Sequence, residues 1–316
     1  MKLLSMRNEG QDRAGILVGQ EVLDITSFYE ILELKGEWID AGDVTKFQHI
    51  EGAYLDALDV YRRGSEWINS VMAKIEAQMF VGELRATGAL IPLAGVELNP
   101  PVIAPGKIFA IGLNYAAHAA EGNAKEQEFP LVFTKNVTAL VGMKGEITLP
   151  RISDMIDYEA ELAVIMGKQA KSVSADEAMD YVAGYTIMND VTARDLQRRE
   201  RQWSRAKGLD TFAPCGPWLV TADEITDPHS LEIELTVNGE TRQHSNTSDL
   251  IFKIPQLIEF ISQDLTLKPG DIISTGTPSG VGAYKNPPVF LKDGDMVEIS
   301  ISGIGVLSNR VVAQAP

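Results

Sequence analysis

The chain has 316 residues, 45% of them hydrophobic, enough for a sizeable core in one large domain or in a domain with an appendage. A formal net charge of -16 argues against nucleic acid or an anionic membrane surface as a partner. The single cysteine, Cys215, excludes an internal disulfide, fits a reducing compartment and reads as a buried structural thiol.

The opening MKLLSMRNEGQDR has an apolar run too short for a signal peptide, and no stretch approaches the length of a bilayer span, so a cytoplasmic protein is expected. Lys2 to Met6 and Ile16 to Val18 read as short strands, with Gly19-Gln20 turning into a third over Val22 to Ile25. A short helix is expected over Phe28 to Leu34. The polar segment 36–65 has no clear signature. Trp67, Ile68, Val71, Met72, Ile75 and Met79 recur at helical spacing and predict a packing helix over 66–80. Pro92, Pro100, Pro101 and Pro105 then break the pattern, because proline neither continues a helix nor joins a central strand. A boundary is placed there, between a small domain over 1–100 and a second domain over 101–316.

Lys107 to Leu113 reads as the first strand of the second part. It runs into Asn114-Tyr115-Ala-Ala-His118-Ala-Ala-Glu121-Gly122, where alanines favour helix and the glycine stops it. His118 and Glu121 fall on one face. A lone histidine is more often structural, but a carboxylate beside it can orient the ring and raise its basicity. Leu131 to Lys135 is the next strand. Glu159 and Glu161 then flank Ala160 directly before the apolar run Leu162 to Met166. In a strand, both carboxylates share one side, while Tyr158, Ala160 and Leu162 take the other. A helix is expected to begin over Asp176 to Met179. Tyr185 to Met188 is a second strand, ended by Asp190. If the two strands pair, three carboxylates converge and repel one another unless a cation lies between them. Oxygen-only ligands suit magnesium, manganese or calcium. A solvent-facing edge that happens to carry acids would give the same pattern.

The stretch Gln197-Arg-Arg-Glu-Arg201-Gln-Trp-Ser-Arg205-Ala-Lys207 is strongly basic within an acidic chain. It reads either as a solvated helix face or as an anion-binding lid beside the acids. Leu231 to Val237 alternates cleanly, and Asn238-Gly239 is a strong hairpin signal. Leu250, Ile251, Ile254, Leu257, Ile258 and Ile261 mark a helix. Pro269 to Ile273 leads into the small-residue loop Ser274-Thr-Gly-Thr-Pro-Ser-Gly280, and Gly294 to Ile299 repeats the glycine-aspartate-strand texture. Dinucleotide, P-loop, zinc and GxSxG signatures are absent.

The blocks IGLNYAAHAAE, PLVFTK, DYEAELAVIMGK, GYTIMNDVTARDLQ, QWSRAKGLDTFAPCGPWLV, LKPGDIISTGTPSGVG and LKDGDMVEISISGIG follow one another over about 105–312. In that order they resemble the fumarylacetoacetate hydrolase family. The resemblance implies a β-rich α+β fold, a roll of mixed sheets behind a smaller N-terminal α/β domain, usually assembled as a homodimer. It implies Glu159, Glu161 and Asp190 as ligands of Mg2+ or Mn2+, with Ca2+ also compatible. It further implies His118 and Glu121 as the pair that handles water, and Lys207 as a cation facing the substrate's oxygens. Tyr115, Arg194, Gln197 and Thr277 are implied as substrate contacts. Asn114 stands where certain members place a fourth acidic ligand, so three protein ligands are expected. The implied activity is metal-dependent hydrolysis of a C–C bond in a 2,4-dioxo acid through an enolate. An oxaloacetate-type decarboxylase, a 2-hydroxyhepta-2,4-diene-1,7-dioate-type isomerase and a non-catalytic binding protein are the rival readings.

Overall fold

A computed structural model describes residues 1–8, 10–35, 56–62, 64–77, 81–125 and 127–314. Its frame is a mixed sheet centred on the strand Ala160–Met166. Every residue of that strand is buried, which is why its apolar run is continuous and not alternating. Val182–Asn189 pairs with it antiparallel on one side, setting Ala160 opposite Asn189. Ile272–Ser274 pairs antiparallel on the other side, and Ile108–Gly112 and Leu131–Lys135 follow outward. The contact between Ile272–Ser274 and Ile108–Gly112 is parallel, so the sheet is mixed.

Beyond Val182–Asn189 lies Ala213–Thr221, which carries the buried Cys215. Burial pushes that thiol up to about 12, in keeping with an inert structural role. The N-terminal strand Lys2–Asn8 adds directly to Ala213–Thr221, with Leu3 opposite Leu219. Gln11–Val18, Glu21–Asp24 and Leu90–Pro92 extend the same sheet. Hydrogen bonding therefore runs unbroken from the first strands of the chain into those beside the acids.

A second, five-stranded sheet contains Glu232–Val237 and Glu240–Asn246. Their turn places Asn238 at φ 53° and Gly239 at φ 78°, the two left-handed residues that a tight hairpin of this hand requires. Met296–Ile301, Gly305–Ala313 and Glu146–Leu149 complete it.

The helix expected in the N-terminal part spans Ser65–Glu76 and buries Ile68, Val71 and Ile75. Met79, the side chain of Trp67 and the segment 36–55 lie outside the described residues. Ile25 opens the helix Ile25–Lys35 instead of closing the preceding strand. The helix expected from Asp176 is only a 3-10 turn, Ala178–Tyr181, because the strand beginning at Val182 leaves no room for more. The helix expected from Leu250 begins at Ile254, with Pro255 in its first turn, where a missing N–H costs nothing. Among the described residues, no helix is long and apolar enough to cross a membrane.

Candidate active site

Pairing of the two central strands assembles the acids. Glu159 and Glu161 flank the start of Ala160–Met166, and Asp190 follows Val182–Asn189. Asn189 Oδ1 accepts the Glu159 N–H, and the Asp190 N–H donates to the Glu159 carbonyl, so the strand ends are locked in register. Each of the three acids offers a carboxylate oxygen within 4.8 Å of the others, and all three side chains are buried. The small-residue loop supports one of them. Ser274 Oγ donates to Glu161 at 2.5 Å and the Gly276 N–H at 3.0 Å. Gly276 has φ +106°, and a Cβ there would lie 2.8 Å from Asn114 Cβ, so this N–H can aim at Glu161 only from a glycine.

Cations are distributed unevenly over the cluster. Lys207 Nζ donates to Glu159 at 2.6 Å, to Asp190 at 2.7 Å and to Thr192 Oγ1 at 2.8 Å. Arg194 reaches Glu159 at 2.6 Å and Asp157 at 2.8 Å. Asp157 also accepts the N–H groups of Gly282 and Ala283, tying the helix Arg194–Glu200 to the loop after Gly280. Lys135 Nζ lies 2.5 Å from Asp190 and donates to the Lys207 carbonyl. Burial pushes Glu159 up, but Lys207 and Arg194 outweigh it and hold the carboxyl well below its usual range. Burial also opposes the charge on Lys207, yet Asp190 and Glu159 outweigh it and raise that ammonium. For Glu161, burial, Asp190 and Glu159 all act upward, and its pKa stands well above the usual carboxylate range. Neither lysine nor arginine touches it among the described residues. An all-oxygen donor set, closely spaced, with one acid lacking a cation, fits a hard divalent ion.

The strand Ile108–Gly112 ends at Leu113, whose φ of 56° turns the chain sharply into the short helix Ala116–Glu121. His118 Nδ1 lies 3.4 Å from Glu121 Oε2, and the Gly280 N–H donates to both Glu121 oxygens at 3.0 and 3.1 Å. The helix is thus moored to the loop that supports Glu161. Asn114 is fully engaged: its amide donates to the carbonyls of Phe252 and Thr275 and accepts the Phe252 N–H. It pins the backbone, which agrees with a set of three acidic ligands.

His118, Lys207, Arg194, Gln197 and Thr277 line a cavity of about 250 Å³ together with the three acids. Phe133 and Trp203 form an apolar wall, packed edge to face at 5.4 Å, and Lys207 Nζ sits 5.1 Å over the Phe133 ring. Gln197 Oε1 accepts from Arg194 Nη1, and Thr277 Oγ1 accepts from Gln243 Nε2. Tyr115 and Glu121, expected at the site, are not among the residues that line the cavity. The Tyr115 hydroxyl is buried without a hydrogen-bond partner among the described residues. Lys135 and Asp157 received no role from the sequence. Lys135 merely ends an apolar strand there, and its partner Asp190 lies 55 positions away.

Residues 107–312 match the family described as fumarylacetoacetate (FAA) hydrolase C-terminal. The chain is 48% identical over 230 residues to the mitochondrial oxaloacetate tautomerase Fahd2a of Rattus norvegicus, covering 72% of this chain and 74% of that protein. It is similar to the solved maleylpyruvate hydrolase from Sphingobium sp. SYK-6 in complex with manganese (II) ion and pyruvate, at 33% identity and TM-score 0.70, covering 100% of both chains. It is also similar to 5-carboxymethyl-2-hydroxymuconate delta-isomerase from Mycobacterium smegmatis, at 35% identity and TM-score 0.71, again covering 100% of both chains.

Proposed function

The chain belongs to the fumarylacetoacetate hydrolase family, and from that premise we propose that it is a divalent-metal-dependent enzyme that uses water to cleave the C3–C4 bond of a 2,4-dioxo acid, an acylpyruvate. One observation carries this reading: His118, backed by Glu121, faces the same cavity as the three buried carboxylates. Magnesium or manganese held by Glu159, Glu161 and Asp190 would supply Lewis acidity at the substrate's carboxylate and adjacent keto oxygen.

His118 takes a proton from water while Glu121 keeps the imidazole turned toward the cavity. The water oxygen bonds to C4, the C3–C4 bond breaks, and its electron pair remains on the three-carbon fragment as the enolate of pyruvate. Lys207, which lines the cavity beside Glu159 and Asp190, meets the negative charge where it develops, which is commonly a large share of catalysis. A proton delivered to C3 completes pyruvate, and the acyl fragment leaves as a carboxylic acid. Thr277 and Gln197 contribute hydrogen bonds to the bound acid.

A second reading is a proton-transfer enzyme that interconverts keto and enol forms or double-bond isomers and needs no attacking water. The 48% identity to an oxaloacetate tautomerase favours it. Decarboxylation of oxaloacetate would draw on the same residues. A magnesium-supplemented assay against acylpyruvates, oxaloacetate and 2-hydroxy-dienoates separates these readings. Release of pyruvate from an acylpyruvate is the expected result. Intact acylpyruvate alongside rapid ketonisation of oxaloacetate enol would replace the first reading by the second, and manganese binding without any turnover would leave only a binding protein.

A further inference from the structure

The basic stretch noted in the sequence divides in the structure. Glu200 receives Arg199 at 2.8 Å and also Arg205, so one carboxylate engages both guanidinium groups, and neither arginine lines the cavity. Arg194 and Lys207 are committed to Asp157, Glu159 and Asp190. Arg198 differs from all of these. It lines the cavity, is exposed toward solvent, and has no hydrogen-bonding or ionic partner among the described residues. On the helix Arg194–Glu200 it shares a face with Arg194 and Gln197, displaced from Arg194 by one turn, about 6 Å along the axis. In a chain of net charge -16, an uncommitted guanidinium at the cavity is positioned to draw in an anion that the rest of the surface repels.

We infer that Arg198 determines specificity by binding a second carboxylate at the end of the substrate remote from the 2-oxo acid group. This inference rests on the 2-oxo acid reading above and extends it to a dicarboxylic substrate. A guanidinium offers a carboxylate two parallel N–H donors, whereas a methyl group at the same place would gain nothing from it.

The test compares succinylpyruvate with butanoylpyruvate, which differ in a terminal carboxylate against a methyl group, using magnesium-supplemented wild type, Arg198→Gln and Arg199→Gln. Wild type should favour succinylpyruvate. Arg198→Gln should lower the ratio of the two kcat/KM values about tenfold, mainly through KM, with part of the preference restored in Arg198→Lys. Arg199→Gln, at a position paired with Glu200 and outside the cavity lining, should keep the wild-type ratio. An unchanged ratio in Arg198→Gln, or equal losses on both substrates, overturns the inference. Should wild type cleave neither compound, the hydrolase reading fails by itself. Arg198 is then judged by calorimetric affinities: tighter binding of succinylpyruvate to wild type than to Arg198→Gln upholds it, and equal affinities overturn it.

Discussion

Replacing Lys135 by methionine tests whether a buried lysine is part of the metal grip. Its Nζ lies 2.5 Å from Asp190, also donates to the Lys207 carbonyl, and its side chain is wholly buried. Methionine is close in length and apolar, so the exchange opens little empty space. Removing one partner of a buried ion pair costs about 3–5 kcal/mol, because the charge left behind is uncompensated. Here Lys207 still holds Asp190 at 2.7 Å, and burial already works against the charge on Lys135, lowering its pKa. Both points favour the lower end, about 3 kcal/mol, or a fall in melting temperature of roughly 4–5 °C for a chain of this length. Asp190 would also lose a bond that orients its carboxylate, a loss that weakens metal affinity by about 10–100-fold. Scanning fluorimetry in chelator and calorimetric titration with manganese read the two effects separately. A melting temperature within about 2 °C of wild type, with manganese affinity within about threefold, would refute the reasoning.

Glu161→Gln should abolish stabilisation by manganese, which in wild type should reach about 2.7 kcal/mol at about 100 times the dissociation constant. Without metal the variant should melt no lower than wild type, since the amide keeps the bonds from Ser274 and Gly276 and is neutral in a site where burial and two neighbouring acids disfavour a charge; a metal response equal to wild type would remove Glu161 from the ligand set. His118→Gln should retain manganese binding while kcat for acylpyruvate hydrolysis falls by about 10²–10⁴; full hydrolysis in the variant would rule out His118 as the base. Burial, then Asp59, pushes the Asp56 carboxyl up to about 6, so its contribution to stability is complete below the ordinary value of 3.8 and is lost as pH rises through 6. That loss amounts to about 3 kcal/mol, and melting temperatures between about pH 4 and 7 should slope downward in wild type more than in Asp56→Asn. Parallel profiles would contradict it.

The acids were legible because their geometry is local. Two glutamates flanking one residue at a strand entry share a face wherever that strand goes, and only Asp190 had to be brought across by strand pairing. The His118–Glu121 pair was legible for the same reason, one helical turn being enough. Lys135 and Asp157 were not legible, because each acquires meaning only from a distant partner: Asp190 in one case, Arg194 and the N–H groups of Gly282 and Ala283 in the other. Likewise, nothing in Lys2–Asn8 announces that it will pair with Ala213–Thr221, more than two hundred positions away. The helix expected from Asp176 also failed to form, because the nearness of the next strand decided the outcome.

The central sheet separates two tasks onto structures of different permanence. The acids grow from inner strands that are clasped by neighbours on both sides, the part of a fold that opens last. His118, Gln197, Arg198 and Trp203 ride on helices of five to seven residues at the rim. Apart from Arg194 and Lys207, which pair with the acids, the residues of those short pieces can be exchanged without loosening the anchor beneath them. A transplant of 197–205 from a relative of different substrate preference, leaving Arg194 and Lys207 on their acids, should therefore change substrate preference while affinity for a divalent ion is retained, and it offers a compact route to redesign.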